Sequence, residues 1–82
     1  MRAEIKSALK ILPKGWELEV NKIHVKNGNR KLTQKLIRAI IIEDAQINHH
    51  ITVHVAFNEY VNSYIENKKK LENELKNILN KQ

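Results

Sequence analysis

The spacing of apolar residues changes along the chain, and each change marks a predicted element. Ile5, Ala8, Leu9 and Leu12 recur at intervals of three and four, which predicts a short helix over residues 2–12. Pro13 ends it, because the residue before a proline is pushed out of the helical region, and Lys14-Gly15 supplies a turn. From Trp16 to Lys26 the period drops to two. Trp16, Leu18 and Val20 alternate with Glu17 and Glu19, the pattern of a half-buried strand. Asn21-Lys22 interrupts that alternation before Ile23 and Val25 and reads as a bulge. Asn27-Gly28 fits a two-residue hairpin turn, since both residues accept the positive φ of a type I′ turn, and it would set Ile23 opposite Leu32.

Residues 30–45 carry Ile40-Ile41-Ile42, a β-branched run that suits a strand buried on both faces. The competing helical face, Leu32, Leu36, Ala39 and Ile40, would leave Ile37, Ile41 and Ile42 apolar nearly all round, so this stretch is read as a strand bent near residues 33–35. Glu43 to Gln46 then reverses the chain. Residues 46–57 alternate most regularly: Ile47, His49, Ile51, Val53, Val55 and Phe57 on one face, Asn48, His50, Thr52, His54 and Ala56 on the other. Residues 59–80 return to helical spacing. Val61, Tyr64, Lys68, Leu71, Leu75 and Ile78 follow a 3-4-3-4-3 interval, with Ser63-x-x-Glu66 as a capping box near the start. The predicted fold is therefore α+β in the order α-β-β-β-α. A three-stranded antiparallel sheet is covered by a short N-terminal and a long C-terminal helix, in one domain over residues 1–82. A helix over 59–80 is ~33 Å long and outruns strands of ~17–20 Å. Its far end carries Leu71, Leu75, Ile78 and Leu79, which mark a candidate homodimer interface.

Charge is distributed unevenly. The total is +6, from 15 Lys and Arg against 9 Asp and Glu. Residues 20–42 hold Lys22, Lys26, Arg30, Lys31, Lys35 and Arg38 and no acid, whereas residues 43–67 hold four acids and no Lys or Arg. The sequence thus predicts a basic β-hairpin around the Asn-Gly tip, with Arg2, Lys6 and Lys10 as a second basic stripe on the first helix. Polyanions are the natural counterpart, because each phosphate neutralised by Lys or Arg releases a counterion. The bland alternative is a solvated lysine-rich edge that discourages aggregation. Trp16, Phe57, Tyr60 and Tyr64 fall on apolar faces and belong to the core, which argues against stacking on single-stranded bases. The element order resembles that of the double-stranded-RNA-binding domain in topology alone. The glycine- and lysine-rich opening of that family's last helix is replaced by Asn58-Glu59-Tyr60-Val61.

Candidate chemistry is sparse. With no Cys there is no disulfide framework and no thiolate nucleophile or zinc site. On a strand, His50 and His54 would sit ~13 Å apart, too far to share one zinc, and no metal or other cofactor is expected. His50-Ile51-Thr52 resembles one half of the paired His-x-Thr motif of two-histidine phosphoesterases, but the second copy is missing. Neither Ser7 nor Ser63 sits in a nucleophile elbow, and two glycines make no phosphate-cradling loop. The chain reads as non-enzymatic. No apolar run is long enough to cross a membrane, and the charged start lacks a signal-peptide core, so a cytoplasmic setting is expected. Lys (12), Ile (11) and Asn (10) all have A/T-rich codons, which points to an A/T-rich phage, plasmid or bacterial genome. The leading expectation is a basic protein that binds nucleic-acid duplex backbones through Lys22, Lys26, Arg30, Lys31, Lys35 and Arg38, helped by Lys6 and Lys10, in a regulatory role. The alternative is a protein-binding inhibitor or accessory factor of a mobile element that docks on a host enzyme.

Overall fold

The computed structural model describes residues 3–80, and among them there are four helices and no strand: α1 (Ala3–Ile11), α2 (Trp16–Lys26), α3 (Gln34–Ile42) and α4 (His50–Asn80). The expected α+β fold is overturned. Both end helices survive in altered form, while each of the three expected strands is helical.

The reasons lie in which residues are buried. In α2 the buried set is Trp16, Glu17, Val20, Asn21 and His24, which is helical spacing written partly in polar residues. The apolar alternation that suggested a strand includes Leu18 and Val25, and both are about half exposed. Asn27-Gly28 closes this helix instead of turning a hairpin. Gly28 takes φ 89°, its N–H donates to Val25 carbonyl at 2.9 Å, and Asn29 N–H donates to His24 carbonyl at 3.0 Å. This is the Schellman pattern, which uses the same left-handed glycine that a type I′ turn would.

In α3 the β-branched run is overridden by packing. Ile37, Ile40 and Ile41 are fully buried at spacings of three and four, so one face of a nine-residue helix fills the centre of the core. Thr33 starts it in extended conformation, its hydroxyl accepting from Leu36 N–H at 3.2 Å. Residues 46–57 divide between a loop and the first turns of α4. Val53, Ala56 and Phe57 are buried, whereas Ile47, Ile51 and Val55 of the supposed strand face are exposed. The long helix therefore begins at His50, nine residues before its expected start, and Ser63 lies in its interior as no cap.

Helices α2, α3 and the first half of α4 pack mutually around Trp16, Val20, Ile37, Ile40, Ile41, Val53, Ala56 and Phe57. Trp16 meets Phe57 edge to face, with ring centroids 5.6 Å apart at 75°, a favourable arrangement of aromatic quadrupoles. Helix α1 flanks this core through Ile5, Ala8 and Leu9, with Leu12 beyond its end. At 31 residues, α4 is ~46 Å long. The principal extents of 53 × 27 × 18 Å follow: a short helical body with one helix projecting from it.

Candidate nucleic-acid interface

The six basic residues of the acid-free stretch all remain exposed, but on a helix–loop–helix in place of the expected β-hairpin. Lys22 and Lys26 lie one turn apart on the outward face of α2. Arg30 and Lys31 lie on the loop, and Lys35 and Arg38 on the outward face of α3. Two hydrogen bonds set the relation of the two helices. Arg38 crosses to Glu17 near the start of α2 at 3.1 Å, while Asn21 reaches Leu32 just before α3, so the helices run antiparallel. Lys22 and Lys31 thereby line one shallow groove with Leu18, Asn21 and Val25, and Lys35 and Arg38 line a second on α3.

The loop between the helices is held from beneath. Asn21 bonds both halves of Leu32's backbone: its side-chain N–H donates to the Leu32 carbonyl at 2.7 Å, and its oxygen accepts from Leu32 N–H at 3.1 Å. His24, with no exposed surface, contacts the Arg30 carbonyl through Nδ1 at 2.8 Å. A carbonyl only accepts, so Nδ1 carries a hydrogen. The other ring nitrogen, Nε2, lies 2.8 Å from Thr52 Oγ1, which itself is 2.9 Å from the His49 carbonyl. Thr52 has one hydroxyl hydrogen for these two neighbours. A neutral His24 takes it at Nε2; an imidazolium donates to Thr52 and leaves that hydrogen for His49. In both arrangements the backbone of the basic loop is tied to the α2–α4 interface.

Few charges on this face are neutralised. Glu17, mostly buried, pairs with Arg38, and this is the better-shielded of the two ion pairs among the described residues. Lys22 pairs with Glu19 at 3.2 Å, but both side chains are largely exposed, and such pairs contribute little. Burial, then the Glu19 charge and last that of Tyr64 raise the Tyr60 phenol above its ordinary value of 10.0.

Lys6 and Lys10 are exposed on α1, whose residues line cavities with α4 and the α3–α4 loop, apart from the two grooves that Lys22, Lys31, Lys35 and Arg38 line. Arg2 lies outside the described residues. Leu71, Leu75, Ile78 and Leu79 project from α4, each 58–66% exposed. His50 and His54 fall one helical turn apart, so the ~13 Å separation expected on a strand does not apply. His50 Nδ1 is engaged by the Ile47 carbonyl at 2.9 Å, and among the described residues no three His, Asp or Glu side chains form a group that could hold a metal. Also among the described residues, no helix is long and apolar enough to cross a membrane.

The positioning residues Glu17, Asn21 and His24 were missed in the pattern of apolar residues because they are polar. Their signal is present: with Trp16 and Val20 they complete the spacing 16, 17, 20, 21, 24 of one helical face. Comparison of the chain with protein-family models, with curated proteins and with solved structures yields no match.

Proposed function

We propose that this protein binds the phosphate backbone of duplex nucleic acid in the cytoplasm through the basic face of α2, α3 and their loop, without catalysing a reaction. The observation that carries this reading is the double anchoring of the loop by buried Asn21 and His24. A surface kept basic only for solubility has no need of an ordered backbone. A surface that must meet regularly spaced phosphates gains from one, since less freedom is lost on binding. In this reading Lys22, Lys26, Arg30, Lys31, Lys35 and Arg38 contact phosphates and set orientation without reading bases.

Labelled duplex DNA, duplex RNA and single strands, titrated by fluorescence anisotropy at about 50 and 200 mM salt, test the proposal. Six phosphate contacts lower affinity about a thousandfold between those conditions. Replacing Arg30, Lys31 and Lys35 together by Gln should reduce the salt slope by roughly 3, at unchanged helicity. Absence of duplex binding at the lower salt, or a slope insensitive to that triple change, would overturn the reading.

One observation favours the protein-binding alternative: the groove between Lys22 and Lys31 has an apolar floor of Leu18 and Val25. An acidic protein segment with an apolar anchor fits it. That partner would lose affinity on Leu18→Ala or Val25→Ala, whereas phosphate binding would not.

A further inference from the structure

Beyond Tyr64 the apolar face of α4 continues with nothing on it. Val53, Phe57 and Tyr60 face the core, and Leu71, Leu75 and Ile78 lie 18 residues further on, respectively. Eighteen residues are five turns of 3.6, so each exposed residue stands directly in line with a core residue. Every residue from Glu66 to Asn80 is exposed. The body cannot cover this segment, because α1, α2 and α3 all pack alongside the first half of α4.

The geometry points to a second copy of this chain as the occupant, paired antiparallel along residues 66–80. This inference is independent of the polyanion reading. Lys68, Leu71, Leu75 and Ile78 form a 3-4-3 seam, and a seam of period 3.5 is the shape that another helix fills. An identical helix gives a closed two-fold contact with the same seam on both sides.

Two features select the direction. The body lies on the same side of α4 as the seam, so in a parallel pair the two bodies would compete for one space. In an antiparallel pair they sit at opposite ends. A parallel pair would also place Lys68 opposite Lys68 of the partner subunit in one seam layer. The antiparallel register sets Lys68 against Ile78 of the partner subunit, and Leu71 against Leu75 of the partner subunit. Lys68 then occupies an outer layer, from which its ammonium reaches water. The overlap is ~22 Å long and covers roughly 1,000 Å² in total, at the low end for a stable interface, so the association is concentration-dependent.

The chain has no Cys, so introduced thiols report unambiguously. Sedimentation from about 5 to 500 µM should show the mass rising from 9.6 kDa toward twice that value. Leu75→Asp with Ile78→Asp should hold it at the monomer mass with the core intact by Trp16 fluorescence, since both positions are exposed. A 1:1 mixture of Lys68→Cys and Ile78→Cys chains should oxidise to the mixed disulfide. Lys68→Cys alone should not cross-link, its two thiols being ~15 Å apart along the axis. Efficient Lys68→Cys self-cross-linking would overturn the antiparallel arrangement. A mass fixed at 9.6 kDa throughout, or a dimer indifferent to the double Asp change, would overturn the interface itself.

Discussion

Asn21 is where stability and presentation of the basic loop meet, and its removal separates them from charge. Asn21→Ala takes away no charge but deletes both hydrogen bonds to the Leu32 backbone, at 2.7 and 3.1 Å. Each such bond contributes about 0.5–1.5 kcal/mol net, and a backbone group left unpaired adds a desolvation cost. Leu32 is only half-buried, so water reaches part of the vacated space and the lower end of that cost applies. The expected loss is about 1.5–3 kcal/mol. At a urea m-value of about 1 kcal/mol/M for a chain this small, the midpoint falls by at least about 1.5 M. Trp16, the single tryptophan and buried beside Phe57, reports the transition by fluorescence. Asn21→Leu keeps the volume while removing the bonds, and a similar loss there assigns the effect to hydrogen bonding and not to a cavity. Duplex binding should weaken several-fold in both variants although every lysine and arginine is present, because the loop must now be ordered on binding. A loss below about 0.5 kcal/mol with unchanged binding would refute the idea that Asn21 holds the loop.

Two further expectations follow from the core and from its edge. Phe57→Ala removes one side of the Trp16 contact in a fully packed centre and should cost about 3–5 kcal/mol, most of the stability of a domain this size, whereas Phe57→Leu should cost under about 1.5 kcal/mol; equal midpoints for both in urea would contradict the packing described. Burial and then the Glu19 carboxylate raise Tyr60 above 10.0 in the folded protein, so its contribution to stability is complete below about pH 10. Above that, the unfolded chain loses its phenolic proton first, and the contribution disappears as pH rises through the folded value. Urea midpoints should therefore begin to drop as pH rises past about 10 and go on dropping through the folded value, with less of a drop in Glu19→Gln; a drop unaltered by that change would exclude Glu19 as a cause.

The period of the C-terminal helix was legible in the sequence because positions 61, 64, 68, 71, 75 and 78, apolar except for Lys68, keep a 3.5-residue interval for more than two heptads, long enough to exclude alternation. The acid-free stretch from residue 20 to 42 was equally plain, and so was the exposure of its six bases, since charged groups stay solvated in either secondary structure. The sequence also placed Asn27-Gly28 at a reversal, but left-handed backbone serves both a hairpin turn and a helix C-terminus, so it did not say which.

Only tertiary structure decided the three middle elements. Residues 16–26 and 46–57 each contain a run of alternating apolar residues, and short runs satisfy both periods. What broke the tie was the burial of polar residues: Asn21 and His24 face inward because the basic loop offers them backbone partners, and Leu18, Val25, Ile51 and Val55 face outward because no layer covers them. Neither fact is local to the chain. For Ile37, Ile40 and Ile41 the β-branched preference is worth tenths of a kcal/mol per residue. Burying each of these side chains against α2 and α4 contributes about 1.5–3 kcal/mol, so burial outweighs the local preference and the run is helical.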